Sequence, residues 1–207
     1  MASSCQKKSD YTQIIEQRAK TNIELSYARI HLGDSFDKYC NDNNTVADVK
    51  SERLSLPDVS LPNGMGGMAG NVMSKISVEQ HNNSNKVDAI VVSIENEGYV
   101  QESLVSEYIK KYDMYSYCLI SYGYPGSATY REEKLIPDES SVFTPETILG
   151  KTLEAKENMN DTHAAIRYVW EWENAAISVV SSFTSNYVYL TFSKIRYSVI
   201  FMKRNSS

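Results

Sequence analysis

Apolar and polar positions alternate most regularly between His163 and Met202, and the alternation predicts three consecutive β-strands. In the first, Ile166, Tyr168, Trp170 and Trp172 share one face, while Arg167, Glu171 and Glu173 share the other. Val169 is the one exception. Strand side chains point to opposite faces in turn, so this pattern marks a strand with one buried face. Asn174 stands where a tight turn belongs. A second strand from Ala176 to Phe183 puts Ile177, Val179 and Phe183 on one side. The polar turn Thr184-Ser185-Asn186 leads into a third, from Tyr187 towards Met202, rich in residues that suit a pleated surface. The apolar face of this meander needs a cover, and the upstream segments must supply it.

Those segments alternate between helical and extended spacing. Ser9 or Asp10 can cap a short helix with Ile14, Ile15 and Ala19 inward, and residues 23–27 read as extended. Gly33 permits a turn before a second helix with Phe36, Tyr39 and Cys40 inward, which stops at the Asn-rich residues 41–44. Strands are expected over 49–56, 72–78 and 87–94, the last a nearly continuous apolar run suited to a central position. Leu104, Val105, Tyr108, Ile109 and Tyr112 recur at helical spacing, and residues 115–122 turn extended again. Residues 126–160 carry no sustained period and read as a long irregular excursion with a short helix near 145–149. The fold class is therefore α+β. It has an antiparallel sheet ending in a three-strand meander, with two or three short helices packed on one face. Residues 11–207 form one domain behind a tether at 1–10.

Composition narrows the class. With 207 residues, the chain can bury about 70% of its unfolded surface without disulfides or a metal. No apolar run approaches the ~20 residues of a membrane-spanning helix. The net charge is -5, and no basic stripe is visible, which argues against nucleic acid as a partner.

Cys5, preceded by Met1-Ala2-Ser3-Ser4, resembles the lipid-accepting cysteine at the start of a mature bacterial lipoprotein. The resemblance implies a lipid on Cys5 and a place in the bacterial cell envelope, anchored to the outer membrane. Cys40 and Cys118 then remain, able to pair but expected as two separate buried thiols. The turn Leu32-Gly33-Asp34-Ser35 into a short helix, followed by strands, resembles the β-lactamase-inhibitor-protein-like family. That resemblance implies a helix opened by a Leu-Gly-x-Ser step and packed on a curved sheet.

Catalytic patterns are thin. Asp161 and His163 have the chemistry of a metal site or general-base pair, but a third ligand is not evident and a polar loop before a strand accounts for them better. His31 flanks a turn and His81 lies in an Asn-rich tip. The glycine-rich residues 64–70 lack the strand and helix that phosphate-binding fingerprints require, and read as a flexible loop or adaptable contact surface. Tyrosine is the remaining signal. Tyr112, Tyr115, Tyr117, Tyr122 and Tyr124 crowd one segment, and exposed together they would make a recognition platform. Trp170 and Trp172 are expected in the core instead.

Two classes of function remain, with a third behind them. The first is a non-catalytic envelope lipoprotein that binds a protein partner, with no cofactor, catalytic residue or metal. The second is a glycan-binding surface module using Tyr115, Tyr117, Tyr122 and Tyr124. The third is a metal-dependent hydrolase built on Asp161 and His163.

Overall fold

The computed structural model describes residues 10–42, 52–56, 73–95, 101–123, 126–140, 142–157, 163–186 and 191–204. The chain runs α1 (Asp10–Arg18), β1 (Ser26–Tyr27), β2 (Ile30–His31), α2 (Phe36–Asp42), β3 (Arg53–Leu56), β4 (Met73–Glu79) and β5 (Ala89–Glu95). It continues through α3 (Gln101–Tyr112), β6 (Tyr117–Tyr122), β7 (Arg131–Leu135), α4 (Pro145–Glu157), β8 (His163–Glu171), β9 (Ala175–Asn186) and β10 (Thr191–Lys203). β1 and β2 pair with each other; the other eight strands form one sheet in the order β3-β4-β5-β10-β9-β8-β6-β7. All neighbours are antiparallel. The class is α+β, and β8, β9 and β10 are the C-terminal meander.

The register explains the apolar alternation. One row crosses the whole sheet through Leu56, Ile76, Val92, Val199, Val179, Tyr168, Cys118 and Leu135. Every member is buried. A second row runs Leu54, Val78, Ile90, Phe201, Ile177 and Trp170, also buried. Burying each large apolar side chain contributes roughly 1.5–3 kcal/mol. A one-residue slip in any strand would turn its contribution to the opposite face.

The helices cover these rows. Tyr108 of α3 packs its ring 5.7 Å from Trp170 and 6.5 Å from Phe201. Phe36, Tyr39 and Cys40 of α2 and Ile148 of α4 join the same cluster. α2 starts where the sequence places it: Gly33 adopts φ +93°, which glycine accepts at low cost. The first N–H groups of α2 are met from outside the helix, Phe36 by the Asn85 carbonyl and Asp37 by the Asn85 side chain. Cys40 and Cys118 are separate buried thiols.

Three expectations need correction. Residues 126–160 are not an irregular excursion, because β7 and the 13-residue α4 lie there. β7 escaped notice because it is an edge strand whose Arg131, Glu132, Glu133 and Lys134 are all exposed, leaving no alternation to read. Four helices, not two or three, are present among the described residues. Of the residues expected inward on the first helix, Ile14 and Ile15 are half-buried, whereas Ala19 lies just beyond α1 and is exposed; the buried residue of α1 is Arg18. Among the described residues, no helix is long and apolar enough to cross a membrane.

Candidate functional site

The bend from α3 into β6 and the turn from β8 into β9 meet at one end of the sheet, and α1 closes over them. Asp113 takes φ +60°, a left-handed conformation that reverses the chain after α3. Its carbonyl accepts a 2.8 Å hydrogen bond from Trp170 Nε1. The Ser116 hydroxyl oxygen accepts from the Glu171 N–H at 3.0 Å and from an Arg18 η nitrogen at 3.2 Å. The other Arg18 η nitrogen donates to the Tyr112 carbonyl at 2.8 Å. Arg18 is only 7% exposed, and its guanidinium lies 5.6 Å from the centre of the Trp172 ring. Tyr112 meets that indole edge-on at 5.3 Å.

Burial lowers the Arg18 pKa to about 10, although the negative charges of Asp113 and Glu171 act to raise it. The side chain therefore stays charged at neutral pH, at a desolvation cost that burial of any ion carries. Its Nε has no acceptor among the described residues. A cavity of about 290 Å3 opens beside it, lined by Ile14, Gln17, Arg18, Thr21, Ile23, Tyr112, Asp113 and Trp172.

Ile23 also borders a second cleft of about 430 Å3, with His31, Lys203, Arg204, Asn174 and Glu24 on its walls. The segment between the two hollows is fastened down. Asn174 accepts from the Ile23 N–H and donates to the Ile23 carbonyl, both at 2.9 Å, and the Glu173 N–H donates to the Thr21 carbonyl at 2.9 Å. Arg204 donates to the Trp172 carbonyl at 2.6 Å.

The tyrosines that the sequence grouped are dispersed. Tyr115 is not a surface ring: at 1% exposure it packs edge-on against Tyr168 and Trp170, and burial raises its pKa. Tyr117 and Tyr122 differ by five along β6, an odd step that puts them on opposite faces. Tyr122 packs partly against the core under Arg131. Tyr117 lies on the far face, donating to Glu171 at 3.0 Å with the Lys134 ammonium 3.9 Å from its ring centre. Burial pushes the Tyr117 pKa up to about 12, helped by Glu171. These three rings share no common surface. Tyr124 and Cys5 lie outside the described residues, as do Asp161 and the glycine-rich residues 64–70.

Among the described residues, no group of three or more His, Cys, Asp or Glu side chains is placed to hold a metal. Burial also raises the thiol pKa of Cys118. Arg18 and the cavity beside it were missed by sequence reasoning, because a buried cation leaves no periodic trace. No family model, curated protein or solved structure matches the chain.

Proposed function

We propose that the chain is a non-catalytic binding module that recognises a protein partner in the bacterial cell envelope, held there by a lipid on Cys5. One observation supports the protein-binding part above the others. The three large apolar side chains that stand exposed among the described residues are Tyr130 (38%), Ile136 (53%) and Val142 (54%). All three fall between residues 130 and 142, where the chain enters and leaves the edge strand β7. An edge strand offers unpaired backbone groups to an incoming strand, and neighbouring apolar side chains supply contact area. Exposed charges on β7 keep it from pairing indiscriminately and favour a partner with matching charges.

The lipoprotein part rests on the residues around Cys5, and the resemblance of the Leu32–Ser35 turn to the β-lactamase-inhibitor-protein-like family agrees with an envelope role. The glycan reading is weaker, because Tyr115, Trp170 and Trp172 belong to the core. The test is recovery of envelope proteins on the immobilised chain, compared with the double variant Ile136→Asp and Val142→Asp. A partner bound by the wild type and lost by a folded double variant supports the reading. Equal recovery on both overturns it.

A further inference from the structure

We propose that the β7 edge pairs with the β7 edge of a second copy of this chain, giving a two-fold dimer with one continuous sheet. The inference rests on the reading of β7 as a docking edge and names its occupant, the chain itself.

A two-fold axis normal to a sheet brings two copies of one edge together antiparallel, with the helices of both on the same side. Each residue then stands opposite one that points to the same face. Arg131, Glu133 and Leu135 point to the helix-bearing face, and Leu135 is buried there. Glu132 and Lys134 point to the other face, and the alternation continued one residue each way adds Tyr130 and Ile136 to it. The Tyr130 hydroxyl donates to Glu132 at 3.0 Å along that face.

With the axis at Glu133, Glu132 stands opposite the partner's Lys134, and Tyr130 opposite the partner's Ile136. Symmetry repeats both, so two opposite-charge pairs are flanked by two apolar pairs. Cross-strand pairs of these kinds are what stabilise a sheet. Tyr130 and Ile136 are 38% and 53% exposed, and the pairing takes from water apolar surface that the fold leaves out. At the axis Glu133 meets the partner's Glu133, but each is bonded to its own Lys151 at 3.1 Å. Moving the axis to Glu132 would set that carboxylate against its copy with only the Tyr130 hydroxyl beside it, and would leave Ile136 unmatched.

The edge is open to such a partner. The Arg131 guanidinium lies 4.4 Å from the centre of the Tyr122 ring and the Lys134 ammonium 3.9 Å from that of Tyr117, so both lean back over β6. The ladder is also bounded. The Tyr130 N–H is spent on the Ser127 carbonyl, and Pro137 has no N–H to give. The five residues of β7 pair, and a two-fold contact consumes the edge that it joins, so a closed dimer forms rather than a fibre. An interface this short lies at the small end for specific complexes, and association in the micromolar range is expected.

Sedimentation velocity of the purified chain, from low to high micromolar concentration, tests the pairing. The wild type should pass from monomer to dimer. Glu132→Lys and Lys134→Glu each set like charges across the axis and should weaken self-association by about tenfold or more. Both positions are exposed, and circular dichroism checks that each variant is folded. Mixing the two variants restores opposite charges at both crossings, so a heterodimer of wild-type strength should form. The proposal is overturned if the wild type stays monomeric, if either variant alone dimerises as the wild type does, or if the mixture does not associate. A monomeric wild type that still recovers another envelope protein, lost on Ile136→Asp with Val142→Asp, would overturn the second copy as occupant and leave β7 a docking edge. A charge-rescued dimer that recovers no other protein upholds the pairing.

Discussion

The indole N–H of Trp170 reaches out of the sheet and donates to the main-chain carbonyl of Asp113, a residue held in the left-handed conformation. This single bond joins β8 to the reversal between α3 and β6. It satisfies two groups at once, a buried indole donor and a carbonyl in a tight bend. The ring itself is wholly buried and in contact with Tyr108 and Tyr115.

Trp170→Ala should therefore destabilise the chain by roughly 3–5 kcal/mol, the range for emptying a large aromatic core site. Trp170→Phe keeps most of the apolar volume but loses the hydrogen bond to the Asp113 carbonyl, and about 0.5–1.5 kcal/mol should be lost. Urea midpoints of the two variants against wild type measure both. A midpoint for Trp170→Ala within error of wild type would show that the ring is not a core element.

Asn174→Ala removes both side-chain bonds to the Ile23 backbone. Each such bond is worth about 1 kcal/mol net, so a loss of about 1–2 kcal/mol is expected. The effect should concentrate in the strap from Thr21 to Leu25. Amide exchange at Ile23 should speed up markedly while Ile177, in mid-sheet, exchanges as before. Uniform acceleration across the sheet would contradict a local fastening.

Asp34 gives a pH dependence of definite sign. Its pKa is held below the usual value, first by the hydrogen bond from the Tyr39 hydroxyl and then by the His31 N–H and nearby Lys38. A depressed folded-state pKa means the stabilisation is fully present above the unfolded value of 3.8 and is lost as pH falls through the folded value. Asp34→Asn should lower stability at neutral pH and flatten its decline below about pH 4. Melting curves across that window decide the matter, and parallel declines in both proteins would remove Asp34 from the account.

Cys118 should be inert in the folded chain. The thiolate is the reactive form, and burial in the central row of the sheet raises the thiol pKa. Alkylation at pH 8 should label Cys118 only after unfolding in urea. Labelling at equal rates in folded and unfolded protein would contradict its placement.

The parts of this fold legible in the sequence are those where burial falls on one face. β8 announced itself because Ile166, Tyr168, Trp170 and Trp172 all face the helices. The Gly33 turn was legible because few residues accept its backbone angle. α3 was legible from helical spacing, and Leu104 and Tyr108 are indeed buried. β7 could not be read, since a charged edge strand has no buried side to mark. Arg18 could not be read either: its environment is assembled from Tyr112, Ser116 and Trp172, far away in the chain. The tyrosine cluster misled for a related reason. Proximity in sequence says nothing about which face a ring takes, and Tyr115 turns inward just before β6 begins.

The strand order has a consequence for how the chain reaches this state. β3, β4 and β5 form one flank of the sheet and β9, β8, β6 and β7 the other, and β10 alone lies between them, bonded to β5 and β9. β10 also follows every other described strand along the chain. During synthesis the two flanks must therefore wait as separate ribbons, each with an unpaired edge, until β10 leaves the ribosome and is inserted between them. Pairings of such long sequence separation are slow, and unjoined edges invite association between nascent chains. A growing chain of this design should depend on chaperone protection until β10 emerges.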